Sequence, residues 1–205
     1  MKKIYFIIAA VAMLFAIEAK AQIGVGVGYN MLSTSYGEVA ESESLNGFYI
    51  EATYDYNFLN DSWGSLAVQP GVRFTYAGTS ETEETLGLTA SKNETYLDIP
   101  VLVKYTYDLD ALKLSAFAGP VISCGLSSSS SLSGDGASLS ASNYGEDGVY
   151  GRFDIKLGLG IGATFMEKYN AKIGYNVGLL NRYTGESDAY ALRTGVFYLG
   201  IGYNF

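Results

Sequence analysis

The chain of 205 residues has no histidine, one cysteine and three prolines. Without an imidazole to act as general base, Ser–His hydrolase and Asp–His protease arrangements are excluded. Zinc sites built from histidine or from several cysteines are excluded with them. Cys124 has no second cysteine to bond, so there is no intrachain disulfide. It reads as a small strand residue near a loop. Basic residues are scarce too: 13 Lys and Arg against 21 Asp and Glu give a net charge of −8. No basic patch offsets that balance, so nucleic acid is not an expected partner.

Long apolar runs are also missing, with one exception at the start. Residues 4–17 are apolar, follow Lys2 and Lys3, and precede Ala19-Lys20-Ala21. A positive start, a short apolar run and a small-x-small site predict a cleaved signal peptide over residues 1–21 and export of the chain. No cysteine follows the expected cut, which argues against a lipid anchor. The remaining residues, 22–205, suit one domain. Nothing in them is long and apolar enough for a membrane helix, so any crossing falls to strands.

Strand-forming composition is what the chain does have: 18 Tyr, 10 Phe and 25 Gly. Eight segments alternate with a period of two: 22–31, 47–58, 65–77, 95–107, 111–123, 149–165, 171–180 and 195–205. In the last, Phe197, Leu199, Ile201, Tyr203 and Phe205 share one face, and Tyr198, Gly200, Gly202 and Asn204 share the other. Segment 111–123 is the least regular, with Phe117 and Val121 falling among the inner positions if Leu112, Leu114 and Ile122 face outward. A helical reading of 153–165 would spread glycines around the helix, where glycine is a poor former.

The connections alternate long and short: 31–46, 59–64, 78–94, 108–110, 124–148, 166–170 and 181–192. Up-and-down membrane barrels show this alternation, with free outer loops and tight inner turns. Tyr56, Phe58, Trp63, Tyr105, Tyr107, Phe165, Tyr169, Tyr203 and Phe205 lie near the short turns. Tyr29, Phe48, Phe74, Tyr76, Tyr96 and Phe153 lie toward the long loops. Together they predict two aromatic girdles at headgroup depth. Pro70, Pro100 and Pro120 fall inside strands, where each removes a ladder donor, and local bulges are the expected accommodation.

The pieces QPGVRFTY (69–76), YLDIPVLVKY (96–105), FAGPVIS (117–123), GRFDIKLGLGIGATF (151–165), YNVGLLNRY (175–183) and LGIGYNF (199–205) occur in that order. In them the chain resembles the PorT-like, porin-family outer-membrane β-barrel proteins. The resemblance implies an eight-stranded barrel in the outer membrane. It also implies, as an alternative role, a barrel component of a protein-secretion or transport assembly.

The fold class read from the sequence is therefore all-β: an eight-stranded antiparallel up-and-down transmembrane β-barrel over residues 22–205. A barrel of eight strands has an interior that side chains just fill, so no wide pore is expected. Glu51, Arg73, Asp98, Lys104, Asp154, Lys156 and Lys172 fall on inner faces and are expected to pair into a structural network, because unpaired buried charge is costly. Inner glycines such as Gly158, Gly160 and Gly162 are expected to make room for bulkier groups across the lumen. Serines 127–131 read as low-complexity loop.

The long loops are acidic, with Glu38, Glu41, Glu43, Glu81, Glu83, Glu84, Asp135, Glu146, Asp147, Glu186 and Asp188. Charge that keeps loops solvated explains them, and no calcium-loop spacing is present. No catalytic residue, metal or cofactor is expected. The expected setting is the outer membrane of a diderm, Gram-negative-type bacterium, with the protein a monomer surrounded by lipid. A protein or polysaccharide partner is expected at the long loops.

Overall fold

In the computed structural model the described residues are 22–35, 43–62, 64–83, 87–109, 111–134, 137–145, 148–185 and 191–205. The expected signal peptide (1–21), Trp63 and the acidic residues Glu38, Glu41, Glu84, Asp135, Glu146, Asp147, Glu186 and Asp188 lie outside them.

Among the described residues nine strands follow one another: β1 (Gln22–Ser35), β2 (Glu43–Asp61), β3 (Gly64–Glu83), β4 (Leu88–Leu109), β5 (Leu112–Gly134), β6 (Ala137–Ser142), β7 (Phe153–Phe165), β8 (Tyr169–Gly178) and β9 (Arg193–Asn204). All pairings are antiparallel, and β1 closes on β9 while β4 pairs with β5. Eight strands thus form a ring, and β6 lies outside it on the upper part of β5. Closure removes the open edges that a sheet otherwise exposes.

Alternation sorts the two faces as the sequence predicts. Val27, Ile50, Val103, Ile155, Leu159, Leu199 and Ile201 stand outward and exposed. Such an unbroken apolar belt in contact with water would be unstable, and it suits lipid. In β5, Leu112, Leu114 and Ile122 face outward while Phe117 and Val121 are buried, which settles the phase that the sequence left open.

Three expectations need correction. First, among the described residues three of the four long connections, 31–46, 78–94 and 124–148, are largely strand, and 181–192 is not. The β3–β4 ladder runs up to Glu83↔Leu88 and the β1–β2 ladder to Thr34↔Glu43. Serines 127–131 belong to β5 and pair with β4, and Ser129–Ser131 also pair with β6. Serine and threonine have no apolar face to signal a period of two, so the pattern is silent where strands leave the lipid.

Second, the prolines do not sit at bulges. Each pairs normally on one side, as Pro70↔Val101, Pro100↔Val121 and Pro120↔Leu157. On the other side each coincides with a two-residue gap and no slip of register: between Thr53↔Gly71 and Tyr56↔Val68, Pro70↔Val101 and Arg73↔Asp98, and Pro100↔Val121 and Val103↔Ala118. The missing N–H faces only one neighbour, so only that ladder opens. The register shifts lie elsewhere, between Asn57 and Leu59 and between Thr95 and Tyr96.

Third, Tyr96 is not part of a girdle. It points inward and is buried with Leu32, Leu45, Ala77 and Val196. A second buried cluster, Tyr49, Leu102, Phe117, Val121 and Tyr198, lies deeper. The lumen is therefore a layered interior, apolar as well as charged.

Candidate functional site

The lumen is the first candidate because it gathers buried charge. β2 and β3 place Glu51 beside Arg73, which is its ladder partner. Arg73 donates from Nε at 3.1 Å and from Nη2 at 2.8 Å to Glu51 Oε2. Lys172, from β8 on the far side of the ring, pairs with the other oxygen, Oε1. One carboxylate thus joins two cations. The Arg73 guanidinium lies 4.6 Å from the Tyr49 ring centroid and 4.1 Å from that of Tyr198. Stacking on aromatic faces suits the planar guanidinium and leaves its edge for the carboxylate.

Lys104 pairs with Asp55 at 2.7 Å, and Gln69 Nε2 donates to the other Asp55 oxygen at 2.5 Å. Asp98 stands opposite Arg73 in the β3–β4 ladder, with Lys156 Nζ 3.4 Å from its Oδ1 and Thr75 Oγ1 donating to its Oδ2 at 3.3 Å. Asp154 is held by neutral donors: Thr194 Oγ1 at 2.7 Å and the Leu180 N–H at 3.3 Å. Six of the seven residues read from the sequence therefore fall into three groups rather than one: Glu51 with Arg73 and Lys172, Asp98 with Lys156, and Lys104 with Asp55. Asp154 stands apart from all three.

Residues that the sequence reading did not include complete the interior. Arg182, 2% exposed, donates to the hydroxyls of Tyr96 (2.9 Å) and Tyr144 (3.0 Å) and to the Gly151 carbonyl (3.0 Å). Tyr96 in turn donates to Glu94. Lys92 pairs with Glu43 at 2.6 Å and Glu94 at 3.6 Å, and donates to Tyr150 Oη at 3.1 Å. Glu94 lies beyond the apolar belt, and burial holds its carboxyl above the usual carboxylate range against the pull of Lys92 and Arg182. Burial likewise pushes the Tyr144 hydroxyl up to about 12. Lys92 and Glu94 share the parity of Asp98, so extending the period of two past Thr95 would have found them.

The inner glycines do make room, but for a neighbour in the same ladder rather than across the lumen. Phe117 lies over its ladder partner Gly160, and Tyr198 lies over Gly174. Tyr49 lies over Gly28 and, one strand further, Gly200. Directly opposed residues sit so close that a large ring is laid flat across whatever faces it. Among the described residues no cluster of three or more His, Cys, Asp and Glu is placed to hold a metal.

These layers close the lumen. The cavity between Glu51, Lys104 and Phe117 measures about 30 Å³, space for about one water. Larger hollows lie at the two ends. A polar vestibule of about 600 Å³ at the short-turn end is lined by Asp55, Asp61, Lys104, Asp108, Lys113 and Glu167, among others. A cup of about 950 Å³ opens at the long-loop end, between β3, β4, β5 and β6.

Residues 15–168 match the family model described as outer membrane protein beta-barrel domain. That span is well over half of the chain, and the chain belongs to this family. No curated protein matches the sequence. Among solved structures the chain is similar to Ail, the attachment invasion locus protein of Yersinia pestis, with a TM-score of 0.51 at 16% identity over 91% of this chain and 100% of that one. It is similar to the outer membrane enzyme PagL with a TM-score of 0.52 at 13% identity, over 90% and 98%. At such identities the likeness is one of fold.

Proposed function

We propose that this family member is a non-catalytic, monomeric barrel of the outer membrane, exported by a cleaved signal peptide, whose role is structural or lies in surface interaction. The observation that carries the reading is where the space lies. Arg73 stacked between Tyr49 and Tyr198, with Leu102, Phe117 and Val121 beside them, fills the middle, while a hollow of about 950 Å³ opens among the strand extensions. A filled centre argues against a solute pore, and strands carried past the lipid belt supply a rigid recognition surface.

The fold does not decide catalysis, since it is shared with an enzyme. Composition argues against it: with no histidine in the chain, the general base most often used beside a serine nucleophile is missing. The partner expected at the long-loop end is a protein or a polysaccharide, and lipid is the partner of the belt.

A second reading, a component of a secretion or transport assembly, finds support in the vestibule at the short-turn end. Its Asp61, Asp108, Lys113 and Glu167 present charges of both signs. Retention of partners from native membranes by barrels with each long loop replaced in turn tests the first reading. If no replacement changes what is retained, recognition by the loops is wrong and a purely structural role remains. Co-purification of an inner-membrane or periplasmic complex after mild solubilisation would favour the second.

A further inference from the structure

Past Gly125, whose N–H donates to the Arg152 carbonyl at 2.6 Å, β5 no longer closes on β7. The β5–β7 ladder ends at Cys124↔Phe153, and above it β5 takes β6 as its neighbour instead. β6 is the terminal strand of the sheet order. The Asn143 N–H donates to the Ser128 carbonyl at 2.9 Å. Donor direction alternates along an antiparallel strand, so the N–H groups of Ala137, Leu139 and Ala141 also face β5, and those of Ser138, Ser140 and Ser142 face away. Among the described residues no backbone pairs with that outer side. All six residues of β6 are exposed, and none is a charge or a proline, the usual guards of an edge strand.

This edge borders the 950 Å³ cup. Leu139, 76% exposed, stands opposite Leu132, and Ala90 and Ala141 extend an apolar strip. Glu43 and Glu81 also line the cup, against a single cation, Lys92, which Glu43 already holds at 2.6 Å. The cup is thus apolar beside β6 and acidic opposite. Tyr150 has Lys92 Nζ 5.1 Å from its ring centroid, so the ring is not offered as a platform for a sugar.

We infer that the outer edge of β6 and the adjoining cup receive an extended cationic peptide segment, added as a further strand along Ser138–Ser142. Main-chain hydrogen bonds to β6 give such a complex its affinity, and alternate side chains give it selectivity. Every second side chain enters the cup beside Leu139 and Ala141. Basic ones reach Glu81 on the facing wall. The inference rests on the surface-interaction reading and names its site and the chemistry of its partner.

The test uses the barrel in nanodiscs of zwitterionic lipid and a fluorescein-labelled hexapeptide of alternating Lys and Val, read by anisotropy. The expected result is saturable binding that weakens at least tenfold when Glu replaces Lys in the probe. N-methylation of one alternate set of probe amides should abolish binding, and methylation of the other set should not. Ser140→Pro removes the central outward donor while leaving the β5–β6 bonds, and should weaken binding at least tenfold. Glu81→Lys should do so several-fold, and it touches no ladder contact of β6. No binding by the unmodified barrel, or equal binding by the Glu probe or by both methylated probes, overturns the inference. If it fails while loop replacement still abolishes partner retention, the surface-interaction reading stands and only this site is lost.

Discussion

Arg73 places two of its nitrogens on a single oxygen of Glu51, at 3.1 and 2.8 Å, while the second oxygen of that carboxylate is left to Lys172. Glu51 is therefore the hub and the two cations its dependants. Removing one member of a buried pair is costly because it strands the other.

Glu51→Gln should accordingly be the most destabilising single change in the lumen, about 3–5 kcal/mol, since it strands two cations. Arg73→Met should cost less, because Lys172 still compensates Glu51 and the apolar side chain keeps its place between Tyr49 and Tyr198. Urea unfolding in lipid vesicles measures both. A smaller loss for Glu51→Gln than for Arg73→Met would contradict the hub.

Gly160 lies under the Phe117 ring, its ladder partner. Gly160→Val should destabilise by about 1–3 kcal/mol through overpacking. Phe117→Ala made in the same chain should recover the part of that loss owed to the ring, while the Ile173 carbonyl, which a Cβ at position 160 also meets, keeps the rest. A double-mutant cycle reads the coupling; simple additivity would mean the ring is not held against the glycine.

With about 30 Å³ of space beside Glu51, the unmodified barrel in a planar bilayer should conduct near background. Arg73→Ala combined with Tyr198→Ala removes the middle layer and should raise conductance into discrete steps. Large steps from the unmodified chain would show that the lumen opens as a pore.

Arg182 ties Tyr96, Tyr144 and the Gly151 carbonyl together at the mouth of the ring. Arg182→Met should leave the membrane belt folded, with unchanged heat-modifiable migration on gels. It should speed proteolytic cutting between residues 143 and 152 several-fold. Unchanged cutting would show that the three contacts are dispensable.

Most of the ring was legible along the chain. Strands such as 153–165 touch lipid on one side and a crowded interior on the other, and that contrast prints a period of two into residue type. The phase of 111–123 was not legible in the same way, because Phe117 and Val121 are apolar yet buried inward. Legibility failed where the contrast disappears. Beyond the lipid both faces of a strand meet water, so serines 127–131 read as loop although they pair in β5, and Lys92, Glu94 and Tyr96 were assigned to a loop or a girdle although they point inward.

By itself, then, the order of residues determined the strand count of the ring, which face of each strand but the 111–123 segment is outward, and that no imidazole chemistry is available. Those properties depend only on local alternation and composition. Tertiary structure alone decided that Glu51 serves both Arg73 and Lys172, that Phe117 lies over Gly160, and that β6 stands outside the ring with one side open. Each of those depends on register and closure, which bring together residues far apart in the chain and leave no mark on the period of any single strand.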